Sequence, residues 1–256
     1  MRFTDQVVVI SGGTGGIGTA IARRLLDEGS HAVVVTGRDE RRGTAAAGAL
    51  GAGAHFRPQD VTDEKGWSVL LAEVVERFGR LDVLVNNAGT ATDGTPQDIG
   101  SISLQSWHRL FATNLDGVLL GCRAAIEVMA AAGGGSIVNV SSTAALMSTP
   151  RFVAYGAAKA AVTQLTKSVA VHCARLGNEV RCNSVHPSLI GTDLGDDILR
   201  MFDDDVERAR STYLARVPMG ALGTPTDVAA AVAYLASTDA AYVTGAQLVV
   251  GGGLGV

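Results

Sequence analysis

Short runs of β-branched and apolar residues recur along the chain, and longer stretches with helical spacing separate them. The apolar runs cover residues 7–10, 33–35, 83–85, 137–140, 180–184 and 248–250, with a weaker run at 54–56. Successive rather than alternate positions are apolar, which is typical of strands buried on both faces. The helical stretches include residues 17–27, 66–78, 107–131 and 154–174. The alternation predicts an α/β fold, a doubly wound parallel sheet of about seven strands with helices on both faces.

The same alternation predicts a single domain over residues 1–256, because no Pro- or Ser-rich linker divides it. Residues 191–218 break the rhythm. This segment combines an acidic run at 203–205 with apolar positions such as Leu194, Ile198 and Leu199. Two interpretations stay open: a surface helical insertion whose acidic run is solvated, and a mobile lid over a substrate cleft.

Composition and charge narrow the class of protein. The formal net charge is -4, which gives no basic field to attract nucleic acid or an anionic membrane surface. No apolar run is long enough for a membrane span. Cys122, Cys173 and Cys182 have no metal-ligand spacing, so we expect reduced thiols and no metal site. A soluble cytoplasmic enzyme is the expected class.

A glycine-rich segment, S11-G-G-T-G-G-I-G18, follows the first predicted strand and opens the first predicted helix. Glycines in such a turn let the backbone approach a diphosphate, whose charge faces the helix N-terminus. This placement predicts a dinucleotide cofactor and a Rossmann-type fold. The residues expected to contact the cofactor here are Gly12, Thr14, Gly16, Ile17 and Gly18.

The end of the second predicted strand indicates which dinucleotide binds. Sites for NAD carry an acidic side chain at this position, which bonds the ribose 2′-hydroxyl. Here the residue is Gly37, and Arg38 follows it. Glycine leaves room and arginine offers a planar fork for a 2′-phosphate, so NADP is predicted in preference to NAD. The alternative is that Arg38 is an ordinary surface residue.

Further motifs follow the glycine-rich segment Ser11–Gly18: Asp60-Val61, Asn86-Asn87-Ala88-Gly89, Asn114, Ser141-Ser142, Tyr155-x-x-x-Lys159 and Pro187-x-x-Ile190-x-Thr192. With these motifs in this order, the chain resembles the short-chain dehydrogenase/reductase family along its whole length. The resemblance implies a catalytic group of Asn114, Ser142, Tyr155 and Lys159. It also implies further cofactor contacts from Asp60, Val61, Asn87, Ala88, Gly89, Tyr155, Lys159, Pro187, Ile190 and Thr192.

Within the family, the chain is most similar to R-specific, NADP-dependent secondary alcohol dehydrogenases. This closer likeness lies in Thr36-Gly37-Arg38, Val185-His186-Pro187 and Pro218-Met219-Gly220. It implies a small-molecule ketone or secondary alcohol as substrate and a homotetramer as the assembly. Ser188 and Gly251 depart from the usual family residues, glycine and aspartate. The C-terminal Gly-Gly-Gly-Leu-Gly-Val lacks the carboxamide with which those relatives hold a structural metal, so no metal is expected.

The spacing of Tyr155 and Lys159 has a chemical interpretation. Residues four apart lie on one helix face. A tyrosine of ordinary pKa, about 10, holds its proton too tightly to cycle near neutral pH. One positive charge at about 4 Å, with an effective dielectric near 20, supplies about 4 kcal/mol, equivalent to about 3 pKa units. We therefore expect Lys159 to lower the pKa of Tyr155, which acts as acid and base while Ser142 polarises the carbonyl.

A substrate pocket is expected beyond Ser142, lined by Thr143, Ala145, Leu189 and Leu194 together with Ala144, Met147 and lid residues such as Ile198 or Met201. No arginine or lysine is evident there from the sequence, which favours an apolar, uncharged substrate. Two alternatives are a 3-oxoacyl or hydroxysteroid reductase on the same machinery and a non-catalytic NADP-binding sensor. The intact Ser-Tyr-Lys group disfavours the sensor.

Overall fold

The computed structural model describes residues 1–255, and within them seven parallel strands form one sheet in the order β3-β2-β1-β4-β5-β6-β7. The strands are β1 (Val7–Ser11), β2 (Ala32–Gly37), β3 (Ala54–Pro58), β4 (Val83–Asn86), β5 (Gly135–Val140), β6 (Val180–Pro187) and β7 (Gln247–Val250). Each predicted strand is present, including the weaker one at 54–56. The doubly wound α/β fold is therefore confirmed.

Helices cover both faces of the sheet. They are α1 (Gly16–Asp27), α2 (Glu40–Leu50), α3 (Glu64–Phe78), α4 (Leu104–Phe111), α5 (Gly117–Ala131), α6 (Val153–Leu176), α7 (Asp193–Phe202), α8 (Val206–Leu214) and α9 (Pro225–Ala236). Alternate strand residues point to opposite faces, so Val8 and Ile10 pack under α1 and α9. Val7 and Val9 belong to the other core, with α3, α5 and α6. None of these helices has the length and apolarity to cross a bilayer.

The strand order reverses between β1 and β4, whose registers pair Ser11 with Asn86. The connections that leave these two strands run to opposite sides of the sheet, and a crevice opens at their carboxyl ends. The glycine-rich turn follows β1, and the Asn86–Gly89 segment follows β4. The topology thus brings the predicted cofactor motifs to one place.

The stretch predicted as one helix over residues 107–131 is interrupted. Between α4 and α5 the chain makes a π-helical turn over Ala112–Asp116, which contains Asn114. A π turn carries an extra residue and shifts the faces of the helix on either side of it. The prediction of one regular helix is therefore wrong at the residue with the predicted catalytic role.

Residues 191–218 form two helices, α7 and α8, over a small core of their own that includes Leu199 and Ala209. The acidic run at 203–205 forms stabilising contacts in this segment. The Asp203 carboxylate accepts from the Arg208 guanidinium, and Asp205 caps α8 by accepting from the backbone N–H groups of Glu207 and Arg208. Two of the three carboxylates in the run therefore stabilise the connection between α7 and α8.

Candidate active site

A cavity of about 1040 Å³ lies at the carboxyl ends of the strands. Every residue predicted to bind the cofactor lines it: Gly12, Thr14, Gly16, Ile17, Gly18, Gly37, Arg38, Asp60, Val61, Asn87, Ala88, Gly89, Tyr155, Lys159, Pro187, Ile190 and Thr192. Segments far apart in the sequence therefore share one surface, as the predicted site requires. The cavity is large enough for a dinucleotide and a small second molecule.

The glycine-rich turn is locked to the end of β4. Gly12 has a φ of 63°, a conformation that favours glycine, and a Cβ atom added to it would lie 2.7 Å from Ala88 Cα. The Asn87 side chain donates from Nδ2 to the backbone oxygens of Gly12, at 2.9 Å, and Ser11, at 3.2 Å. Asn87 therefore positions the turn through its side chain.

The N-terminus of α1 faces the cavity without a capping side chain. Its N-cap is Gly15 in an extended conformation, and the first turn contains no acidic residue. The first N–H groups of a helix have no partner within the helix and carry a partial positive charge. This end of α1 therefore presents donors to an anion, as a diphosphate site needs.

Two arginines flank the turn at the other end of the cavity. The Arg38 side chain is exposed and makes no hydrogen bond or ion pair within residues 1–255. The Arg42 side chain donates from Nε to the backbone oxygen of Thr14 at 3.2 Å, and its guanidinium lies 3.9 Å from Asp193 Oδ2. The sequence analysis missed Arg42, although Arg41 and Arg42 lie in the first turn of α2, only a few residues after Arg38.

Tyr155 and Lys159 lie on α6 as predicted, and the Lys159 ammonium is 5.7 Å from the centre of the Tyr155 ring. Lys159 is buried and donates to the Val140 backbone oxygen at 2.8 Å, and burial lowers its pKa to about 8. The pKa of Tyr155 is raised, because burial outweighs the opposing effect of the Ser142 hydroxyl. The expected lowering of the Tyr155 pKa by Lys159 is therefore not produced by the protein groups alone.

Ser142 lies two residues after the end of β5, where its hydroxyl accepts from the Ala144 N–H at 3.1 Å and lies 3.4 Å from the Pro187 oxygen. Its backbone oxygen lies 3.2 Å from Nδ1 of the buried His186. A carbonyl can only accept, so Nδ1 carries the proton, and Nε2, 2.8 Å from Ser184 Oγ, is free to accept. The sequence analysis gave His186 no role, yet it supports the backbone of Ser142.

Asn114 is fully buried beside the predicted catalytic group and does not line the cavity. Its Oδ1 accepts from the Thr90 N–H at 3.1 Å, and its Nδ2 donates to the oxygens of Thr90 and Leu110, both at 2.9 Å. A Cβ added at Gly89 would lie 2.8 Å from Asn114 Oδ1 and 3.4 Å from Lys159 Nζ. Asn114 therefore fixes the segment after β4 against Lys159.

Most, but not all, of the residues predicted to form a substrate pocket line this cavity. Thr143, Leu189 and Leu194 line the cavity, with Ala144, Met147 and Ile198, whereas Met201 does not. Ala145 is a correction: it lines a separate, smaller depression beside Gly156 and Ala160. The short 3₁₀ turn over Thr143–Ala145 sends its last residue away from the cavity. The lining residues that the sequence analysis missed include Arg151, Phe202, Tyr213, Arg216 and Leu254.

Comparisons with known proteins agree with this geometry. Residues 12–255 match the family described as enoyl-(acyl carrier protein) reductase. The chain is 39% identical to the NADP-dependent (R)-specific alcohol dehydrogenase of Lentilactobacillus kefiri over 98% of this chain and 97% of that one. It is 34% identical to the 7alpha-hydroxysteroid dehydrogenase of Bacteroides fragilis, over 99% and 95%. The crystal structure of levodione reductase superposes with a TM-score of 0.94 at 30% identity, covering 99% of each chain.

The chain belongs to the short-chain dehydrogenase/reductase family. It is accordingly an oxidoreductase. One departure from the usual residues of this family has a structural reason, since a Cβ added at Gly251 would lie 2.5 Å from the Leu254 oxygen. The C-terminal segment folds back on itself at that point and leaves no room for an aspartate. Within residues 1–255, no three His, Cys, Asp or Glu side chains are grouped to hold a metal ion.

Proposed function

We propose that this member of the short-chain dehydrogenase/reductase family interconverts a ketone and its secondary alcohol with NADP(H). One observation carries the proposal: the Tyr155–Lys159 pair faces the same cavity as the glycine-rich turn and Arg38. The site therefore joins a proton donor to a place for a phosphorylated dinucleotide. The relative named an NADP-dependent (R)-specific alcohol dehydrogenase supports the same assignment.

The residues present fit NADP. The uncapped N-terminus of α1 suits a diphosphate, and the glycines at 12 and 18 allow close approach, because a Cβ at Gly18 would lie 2.5 Å from the Gly12 oxygen. At the ribose end, Gly37 carries no carboxylate and Arg38 has a free guanidinium fork. Arg42 supplies a second positive charge beside Thr14. When bound, the reduced cofactor supplies the hydride.

The chain's own residues supply the rest of the reaction. The Ser142 hydroxyl donates to the carbonyl oxygen and stabilises the negative charge that develops there. The Tyr155 phenol then gives its proton to that oxygen, and its raised pKa keeps it protonated at neutral pH for this step. The Lys159 ammonium stabilises the phenolate left behind, and Asn114 holds the segment that packs against Lys159. In alcohol oxidation the same proton returns to Tyr155.

The wall next to Ser142 is mostly apolar, with Met147, Leu189 and Leu254 among its residues. It suits a ketone with apolar groups beside the carbonyl. A hydroxysteroid or 3-oxoacyl reductase is the second candidate, supported by the 34% identity to a hydroxysteroid dehydrogenase and by the description of the matching family. The two candidates use the same catalytic residues and differ in the substrate alone.

The proposal includes a cytoplasmic homotetramer. The α5 and α6 helices carry exposed apolar side chains, Leu119 at 44% exposure and Val171 at 50%, on surfaces where subunits can meet. Sedimentation velocity measures the assembly directly. A monomer at micromolar concentration would contradict this part of the proposal and leave the chemistry untouched.

The test of the activity is a substrate panel assayed with NADPH and NADH in parallel. The panel contains aliphatic and aryl ketones, 3- and 7-oxosteroids and 3-oxoacyl thioesters. The proposal expects reduction of simple ketones with a higher kcat/KM for NADPH. Reduction confined to thioesters or steroids would select the second candidate. Absence of turnover across the whole panel with both cofactors would reject the assignment as a ketone reductase.

A further inference from the structure

The charged groups that line the cavity separate into paired and unpaired ones. Arg109 donates to the Asp93 carboxylate at 2.9 Å, and Asp197 accepts from Arg200 at 2.7 Å. Arg42 is held by the Thr14 oxygen. Two lining guanidinium groups have no side-chain hydrogen bond or ion pair within residues 1–255, Arg38 and Arg216. The cavity thus presents a free cation at each of two places.

The two arginines belong to different segments around the cavity. Arg38 follows β2 beside the glycine-rich turn, where the 2′-phosphate of NADP is expected. Arg216 follows α8, and its backbone N–H donates to the Tyr213 oxygen. The Tyr213 hydroxyl in turn accepts from the Leu189 N–H at 3.0 Å, which ties the end of α8 to the segment after β6. Arg216 therefore belongs to the substrate part of the cavity.

A chain of contacts links the segment that carries Arg216 to the segment that carries Ser142. A Cβ added at Gly252 would lie 3.0 Å from Val217 Cγ1, and one added at Gly251 would lie 3.3 Å from Thr143 Cγ2. The C-terminal segment thus bridges the neighbour of Arg216 to the neighbour of Ser142. Leu254, from the same segment, lines the cavity. A molecule that reaches from Ser142 to Arg216 passes over an apolar stretch and ends at a positive charge.

A second arginine lies at this end of the cavity. Arg151 lines the cavity and donates from one guanidinium nitrogen to the oxygens of Met201, at 3.2 Å, and Phe202, at 2.7 Å. Its guanidinium carbon lies 5.5 Å from the centre of the Phe202 ring. These contacts hold the Arg151 guanidinium in place through one nitrogen, and the N–H groups of its other nitrogens make no hydrogen bond within residues 1–255. The premise that no cation serves the substrate pocket is therefore overturned by Arg151 and Arg216.

We infer that the substrate is a ketone or secondary alcohol with a remote anionic group, a carboxylate or sulfonate, which Arg216 binds. The inference rests on the proposed ketone reduction and concerns the end of the substrate that is remote from the carbonyl. A guanidinium donates two parallel hydrogen bonds to either anion, and such a charged pair is stronger than a bond between neutral groups. The apolar stretch past Leu254 requires aliphatic or aromatic carbon between the carbonyl and the anion. Arg216 thus acts in specificity and has no part in the hydride or proton transfer.

The test compares oxo acids with their methyl esters: 4-oxopentanoate, 5-oxohexanoate and 6-oxoheptanoate, each beside its ester, with saturating NADPH. The ester keeps the carbonyl and the carbon chain and removes the charge. A charge-assisted contact of about 1.5 kcal/mol predicts that at least one acid exceeds its ester about ten-fold in kcat/KM. In Arg216→Gln this ratio falls to about one, through the KM of the acid, while the kcat/KM of the ester is unchanged.

The matched control is Arg175→Gln. Arg175 is an exposed arginine in the last turn of α6, and it does not line the cavity. This variant should keep the acid preference of the wild type. A titration of the enzyme–NADP complex with the preferred acid by calorimetry gives the binding loss in Arg216→Gln without turnover.

Two results overturn the inference alone. The first is a kcat/KM for each ester that equals or exceeds that of its acid at every chain length. The second is an acid-to-ester ratio of kcat/KM that is unchanged in Arg216→Gln. Either leaves the proposed ketone reductase standing. A wild type that reduces none of the six compounds and none of the neutral ketones contradicts the proposed function itself, and the inference falls with it.

Discussion

The ammonium group of Lys159 donates a 2.8 Å hydrogen bond to the Val140 backbone oxygen at a point where the lysine is only 3% exposed. Burial lowers its pKa from 10.5 to about 8. The unfolded chain keeps the higher value, so the folded protein binds this proton less tightly than the unfolded chain does. Protonated Lys159 therefore lowers the free energy of unfolding at neutral pH. The same burial places its ammonium group beside Tyr155.

The first prediction is that Lys159→Met raises the free energy of unfolding at pH 7 while turnover is lost. Below about pH 8 the lysine is protonated in both states and the penalty is present in full. Between that pH and 10.5 the folded protein releases the proton first, and the penalty disappears. The shift corresponds to about 3 kcal/mol, and loss of the bond to Val140 offsets about 1 kcal/mol of it.

Urea unfolding of wild type and variant at pH 7 and pH 10 measures this effect. The control is Lys167→Met, at an exposed lysine of the same helix, which should change little at either pH. A Lys159→Met gain of the same size at both pH values would show that the lysine is not strained by its charge.

The second prediction concerns Tyr155→Phe. This variant keeps the ring and removes the hydroxyl, so it should fold and bind NADPH as the wild type does. Loss of the general acid should reduce kcat for ketone reduction by about 100-fold or more. Fluorescence titration with NADPH measures the binding and a stopped assay measures the turnover. Near-full reduction by Tyr155→Phe would remove Tyr155 from the proton transfer.

Much of the fold could be read from the sequence, because buried parallel strands are apolar at every position and stand out in any chain. The runs at Val33–Val35 and Val83–Val85 are examples, and both lie in observed strands. The glycine-rich turn was equally visible, because its glycines meet local backbone requirements such as the positive φ of Gly12. Features set by neighbouring residues were therefore predictable.

Features set by distant contacts were not. The π turn at Asn114 is held by bonds to Thr90, 24 residues earlier, and the apolar spacing of its helix does not reveal them. Arg42 reaches the site only because α2 packs beside the glycine-rich turn, where its side chain donates to the Thr14 oxygen. Leu254 lines the cavity because the C-terminal segment packs on Thr143, and Arg216 does so because Tyr213 ties the end of α8 to Leu189. The sequence thus revealed the chemistry better than the walls of the substrate pocket.

The third prediction is that His186 positions Ser142. The variant His186→Asn keeps a donor close to the position of Nδ1, whereas His186→Leu removes it. The leucine variant should lower kcat about ten-fold with a smaller change in KM, and the asparagine variant should restore most of the loss. In a Ser142→Ala background the leucine substitution should cost little more, because the two residues act through one contact. Full additivity of the two losses would show that His186 acts elsewhere.

The last prediction concerns the choice of cofactor at Gly37. A Cβ added there would lie 3.1 Å from Thr14 Oγ1 and 3.2 Å from Thr14 Cγ2, so Gly37→Asp requires a small shift of one short side chain. The new carboxylate can accept from a ribose 2′-hydroxyl and repels a 2′-phosphate, and it draws Arg38 toward itself. At about 4 Å and an effective dielectric near 20, a like-charge contact costs up to about 4 kcal/mol.

Solvent at this open end of the cavity should reduce the cost to about 1–2 kcal/mol, or about ten-fold in affinity. The wild type is therefore expected to favour NADPH in kcat/KM, and Gly37→Asp to shift the preference toward NADH by about that factor. Gly48→Asp is the matched control, because it places the same charge on the exposed face of α2, away from the cavity and with nothing within 4 Å. Steady-state kinetics with both cofactors decides the question. A wild type that prefers NADH would show that Arg38 is a surface residue without a phosphate to bind, and the assignment of NADP would fail.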